Sequence, residues 1–100
     1  MADNKTRVEE VKISVLLRAA RAALGISQAE LADELGVSQS TIARCERGIG
    51  PLPSRALLRS INYFSSYGID LSGILDEDPT LSFASSFFER AVEEEQYRDS

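Results

Sequence analysis

Between Ser27 and Gly48 the chain writes two short helices with almost nothing between them. Ser27-x-x-Glu30 is a capping box, in which a serine hydroxyl and a glutamate carboxylate satisfy each other's backbone amides at a helix start. It opens the apolar-periodic run Leu31, Ala32, Leu35, which Gly36 ends. Ser38 is an N-cap for a second run reaching about Arg47, closed by Gly48. Leu35-Gly36-Val37-Ser38 is too short a connection for two antiparallel helices with separate cores. It suits a crossing near 90–120° through a tight turn containing glycine. The packing needs of such a crossing are present. Ala32 is small where the helices must approach, Gly36 accepts a positive φ, and Val37 and Ile42 supply a shared core.

The flanking segments are also predicted to be helical. Thr6-x-x-Glu9 is a capping-box pattern that would open a first helix, and residues 7–24 hold neither glycine nor proline before Gly25. Residues 48–53 are turn chemistry, and Ser54 would cap a fourth helix carrying Leu57, Ile61 and Phe64, stopped by Gly68. Asp70 would cap one short turn through Leu75, which Asp76-Glu77-Asp78-Pro79 breaks before a last helix from Thr80 to about Tyr97. No stretch alternates with period two, so no strand is expected. The reading is all-α. Residues 1–5 form a flexible N-terminus, 6–75 one domain with its paired helices at about 27–35 and 38–47, and 76–100 an acidic C-terminal helix.

Composition removes most chemistry. Histidine and tryptophan are absent and Cys45 is the single cysteine. That leaves no structural zinc site, no disulfide within the chain, and no Ser-His-Asp or Cys-His catalysis. No catalytic residue, cofactor or metal is expected, and no enzyme. No apolar run approaches the roughly 20 residues that span a bilayer, and the first residues carry no signal-peptide core, so no membrane partner and a cytoplasmic location are expected. Net charge is −5, which taken whole argues against nucleic acid. By segment it does not. Residues 12–59 hold seven cations (Lys12, Arg18, Arg21, Arg44, Arg47, Arg55, Arg59) against Glu30, Asp33, Glu34 and Glu46, a net +3, whereas residues 60–100 sum to −7.

In a helix-turn-helix crossing, the second helix presents its N-terminal, outward side chains to a major groove. Here these are Gln39, Ser40, Thr41 and Arg44, with no acid among them. The run Arg21-Ala22-Ala23-Leu24-Gly25-Ile26-Ser27-Gln28-Ala29-Glu30-Leu31-Ala32, followed by Gly36-Val37-Ser38, Ile42 and Glu46-Arg47-Gly48, resembles the helix-turn-helix of the lambdoid-repressor and Cro (XRE-type) superfamily. The resemblance spans about residues 13–75. It implies a four- to five-helix lambda-repressor-like DNA-binding bundle, here with an extra C-terminal amphipathic helix. It also implies a transcriptional regulator of repressor type, binding a double-stranded DNA operator of inverted-repeat form as a homodimer. By position, Gln39, Ser40 and Arg44 would face base edges and Thr41 bases or backbone. Gln28 and Ser38 would hold phosphates, and Arg21 and Glu46 would pair as a partly buried salt bridge. Three departures stand out. Cys45 replaces a larger apolar residue, the 49–53 loop lacks a cation, leaving phosphate contacts to Arg47 and Arg55, and the tail is acidic. The alternative is a protein-interaction module, an antitoxin-like or anti-repressor subunit whose helix-turn-helix or acidic C-terminus engages a basic protein partner.

Helical angles leave two apolar stripes over. Ile13, Leu17, Ala20 and Leu24 cluster on the core side of the first helix, but Val8, Val11 and Val15 fall on the opposite side. In the last helix Leu81, Ala84, Phe87, Phe88, Ala91 and Val92 lie within about 140° of arc, the width of a buried face. Left wet, such surface forfeits about 25 cal/mol per Å². Either the last helix folds back on its own chain, or both stripes are buried in a two-fold homodimer; the dimer is the expectation.

Overall fold

The structure, a computed structural model, describes residues 4–94. Five helices and one two-strand ladder make up the described residues, in the order α1 (Asn4–Leu24), α2 (Gln28–Leu35), α3 (Gln39–Glu46), α4 (Ser54–Ser65), β1 (Ile69–Asp70), β2 (Ser82–Phe83) and α5 (Ser85–Glu94).

α1 continues without interruption until Gly25, whose φ of 78° turns the chain out while its N–H donates to the Arg21 and Ala22 carbonyls. The helix already holds Asn4 and Lys5, so Thr6 and Glu9 lie inside it and not at its cap, and the expected flexible start is helical from Asn4. Residues 1–3 lie outside the described part. α2 starts as its four-residue signature requires: the Glu30 N–H donates to Ser27 Oγ at 3.0 Å and the Ser27 N–H to Glu30 Oε1 at 2.8 Å. Hydrogen bonding of the carboxylate by Ser27, through its backbone N–H first and its hydroxyl second, holds the Glu30 carboxyl below the usual glutamate range. At the other end Gly36 adopts φ 71°, and α3 follows with Ser38 as its N-cap. Leu31, Ala32 and Leu35 of α2 and Ile42 of α3 bury their side chains together with Leu17 and Ala20 of α1. This crossing is the centre of the molecule.

α4 differs from expectation at its start. Pro53 occupies the N-cap position with φ −54° and no side-chain cap, and Ser54 is already helical. Proline's fixed φ brings the chain in at a helical entry angle, and the Pro53 carbonyl accepts from the Leu57 N–H at 2.9 Å. Beyond α4 the chain departs further. Ile69–Asp70 pairs antiparallel with Ser82–Phe83, Ile69 opposite Phe83 and Asp70 opposite Ser82, so strands exist where none was expected. Two residues are too few to show a period of two. Between them Asp70 accepts the Ser72 N–H at 2.8 Å and opens a turn that buries Leu71 and Ile74.

The last helix starts at Ser85, not Thr80, because residues 82–83 are drawn into the ladder and the Ala84 N–H donates to the Gly68 carbonyl at 2.8 Å. Its expected end near Tyr97 lies outside the described residues. The apolar stripe assigned to that helix is therefore divided. Leu81 and Ala84 precede it, and Leu81 packs against the core. Phe87 is buried within its own chain, edge-on to Phe88 and tilted against Phe83, so it is not free to form an intersubunit surface. Ala91 is half-buried, whereas Phe88 and Val92 are exposed. α5 does not cover α1 either: Val8, Val11 and Val15 remain 43–45% exposed, along a groove completed by Arg7, Lys12, Leu16 and Pro79.

Candidate nucleic-acid interface

Polar residues on the outer side of α3 have no core to enter, while Ile42, Cys45 and Glu46 point inward. Gln39, Ser40 and Arg44 are exposed and Thr41 is half-buried. Ser38 caps the helix by accepting the Thr41 N–H at 3.2 Å, and its hydroxyl also meets those of Ser40 and Thr41 at 3.1 and 2.9 Å. Three hydroxyls thus gather at the helix N-terminus, where the backbone amides carry partial positive charge. One turn on, the Arg44 guanidinium reaches towards the Ile49 carbonyl at 3.5 Å. It lies beside a notch lined by Thr41, Gly50, Pro51 and Pro53. Arg47 and Arg55 are exposed and form no ion pair among the described residues.

Behind this face one carboxylate joins three helices. Glu46, at the end of α3, has only 3% of its side chain exposed, against 20% for Arg21 of α1. Arg21 donates to it twice, Nε to Oε2 at 2.7 Å and Nη2 to Oε1 at 2.9 Å, and also donates to the Ile26 carbonyl at 2.9 Å. The carboxylate hydrogen bond raises the Arg21 pKa above its ordinary value. Gln28 of α2 adds a third bond, donating from Nε2 to Glu46 Oε1 at 3.1 Å. Its amide nitrogen is thus held by the protein, a role that the sequence reading, which assigned it to phosphate, did not include.

Other partners were missed from sequence altogether. Helix C-termini leave carbonyls without intrahelical donors. The Glu46 carbonyl accepts from Ser14 Oγ at 2.7 Å and Arg18 Nη1 at 3.2 Å, and the Gly48 carbonyl from Arg7 Nη1 at 2.6 Å. Arg7, Ser14, Arg18 and Arg21 follow one another by seven, four and three residues, so they share one stripe of α1. That polar stripe, running into the Ala- and Leu-rich second half of the helix, was the available signal. Cys45 is buried, and burial together with the adjacent Glu46 charge pushes its thiol up to about 11. It is an inert packing group. Among the described residues no group of His, Cys, Asp or Glu is placed to hold a metal, and no helix is long and apolar enough to cross a membrane.

A family model described as a helix-turn-helix domain matches residues 13–62, half of the chain. The matched span runs from α1 into α4 and contains α2 and α3 whole. No curated protein matches the sequence. Among solved structures, a point mutant of the restriction–modification controller protein C.Esp1396I is similar, with a TM-score of 0.51 and 20% identity over 99% of this chain and 100% of that one. At that identity the likeness establishes a shared fold, an all-α helix-turn-helix bundle.

Proposed function

The chain belongs to the helix-turn-helix domain family, and on that premise we propose that it is a sequence-specific DNA-binding transcriptional regulator that lays α3 in the major groove. The observation that carries this reading is the exposed, acid-free outer face of α3, with an amide, hydroxyls and a guanidinium ahead of a rigidly held helix end. A face selected only for solubility would mix in glutamate and lysine. Arg44 has the fork to bond guanine O6 and N7, and Gln39 the amide to bond adenine N6 and N7, each contributing roughly 1–3 kcal/mol of discrimination. Ser40 and Thr41 add hydroxyl and methyl contacts between them. Arg47, Arg55, Ser38 and the second N–H of the Gln28 amide, whose first goes to Glu46, serve phosphates, whose contacts position the protein without reading sequence.

The reading includes a homodimer on an inverted repeat. Val8, Val11 and Val15 of α1, with Phe88 and Val92 of α5, are apolar surface that the chain leaves open. A two-fold pairing through these residues sets two recognition helices about 34 Å apart, one DNA turn, and lets a modestly basic domain draw specificity from two half-sites.

Fluorescence anisotropy with a labelled random duplex, followed by selection of an operator from a random pool, tests the reading. Affinity for random DNA falls steeply from low to moderate salt, because phosphate contacts release counterions. Arg44→Ala and Gln39→Ala each relax preference at one or two base positions in each half-site. Equal weakening on operator and random DNA would remove the base-reading assignment. Binding indifferent to salt would favour a protein partner instead.

A further inference from the structure

Four glycines, Gly25, Gly36, Gly48 and Gly68, have φ between 71° and 84°, a backbone region that side chains disfavour. Gly50 lies outside that set, so no torsion of its own demands glycine. What it meets is Arg44. A Cβ at position 50 would stand 3.2 Å from Arg44 Cβ and 3.2 Å from Arg44 Nε. Both are inside the roughly 3.5–4.0 Å optimum for carbon contacts.

The two walls of this contact can give the few tenths of an ångström that the Cβ–Cβ approach asks, but little more. Arg44 Cβ belongs to α3, which Ile42 and Cys45 anchor in the core. The facing loop is stiffened by Pro51 and Pro53 and plugged into the core by Leu52, 8% exposed. The movable partner is the outer part of the Arg44 side chain, which now rests over the bare Cα of Gly50 with its Nη2 towards the Ile49 carbonyl. We propose that Gly50 is a positioning residue for base reading, its missing side chain forming the seat that holds Arg44 in one orientation on the recognition face. This rests on Arg44 as the guanine reader. Seating the guanidinium in advance spares part of the rotamer freedom otherwise lost on binding, a factor of about two to ten per long side chain.

The test uses the full chain and the selected operator, with single-base variants of it, read by anisotropy. Arg44→Ala first identifies the base pair that Arg44 reads. Gly50→Ala then lowers discrimination at that base pair by about two- to tenfold, and leaves the other base pairs, random-duplex affinity and salt slope as in the wild type. In the Arg44→Ala background the same substitution changes no preference. Full discrimination retained by Gly50→Ala, or lost equally at every base pair, overturns the seat while leaving the DNA reading intact. An Arg44→Ala variant with unaltered preferences overturns both. Circular dichroism guards the comparison: if Gly50→Ala unfolds but the double variant folds, crowding by Arg44 is the cause and the seat is supported. If both unfold, Gly50 serves the fold and the proposal fails.

Discussion

Replacing Glu46 by alanine deletes the one group that α1, α2 and α3 share. The loss comprises two bonds from Arg21 and one from Gln28, at 2.7, 2.9 and 3.1 Å. Breaking a buried ion pair by removing one member costs about 3–5 kcal/mol, because the remaining charge keeps its desolvation without its partner. Arg21 is only partly buried: 20% of its side chain is exposed and it retains the Ile26 carbonyl at 2.9 Å. Water and that carbonyl offset part of the loss, bringing it to about 2–3 kcal/mol. At about 5 °C per kcal/mol for a domain of this size, Glu46→Ala should melt about 10–15 °C below the wild type. Glu46→Gln preserves shape and an acceptor but not charge, and should fall between the two. Thermal unfolding followed by far-ultraviolet circular dichroism at neutral pH decides the matter. A Glu46→Ala midpoint within about 2 °C of wild type would show that the three-helix junction contributes little to stability.

Ser27→Ala removes the α2 capping box and should cost about 1 kcal/mol in thermal or urea unfolding without changing base preference; equal stability would contradict the cap. Burial raises the Cys45 pKa from 9.0 to about 11, so the unfolded chain loses the thiol proton first as pH rises. This contribution is complete below about pH 9 and disappears between about 9 and 11; Cys45→Ala should abolish that part of the pH dependence, and an unchanged profile would refute it. Arg47→Ala and Arg55→Ala should weaken binding to all duplexes alike and each flatten the slope of log K against log salt by about one, whereas altered base preference at constant slope would reassign them. Val11→Glu places a charge on the open α1 face and should convert a dimer to monomer in sedimentation at tens of micromolar; a wild type that is already monomeric there would refute the dimer.

What could be read from sequence was what is encoded within a few residues. The Ser27–Glu30 box, the Ser38 cap and the positive-φ glycines each place a helix boundary through bonds spanning five residues or fewer, so residue type and spacing suffice. The inward positions of α2 and α3 follow from helical period once those boundaries stand. Apart from the Arg21–Glu46 pair, which the resemblance implied, tertiary structure decided what required two distant segments to meet. The ladder of residues 69–70 with 82–83 postponed α5 by five residues, from Thr80 to Ser85, and separated Phe87, inside, from Phe88, outside. No local rule distinguishes adjacent phenylalanines on one amphipathic face. Likewise Arg7, Ser14 and Arg18 bond to backbone carbonyls of residues 46 and 48, and a carbonyl is present at every position whatever the side chain. The donors leave only a polar stripe along α1, their carbonyl partners leave no mark in the sequence, and neither does the 3.2 Å approach of Gly50 to Arg44: both pairings are consequences of how the helices cross.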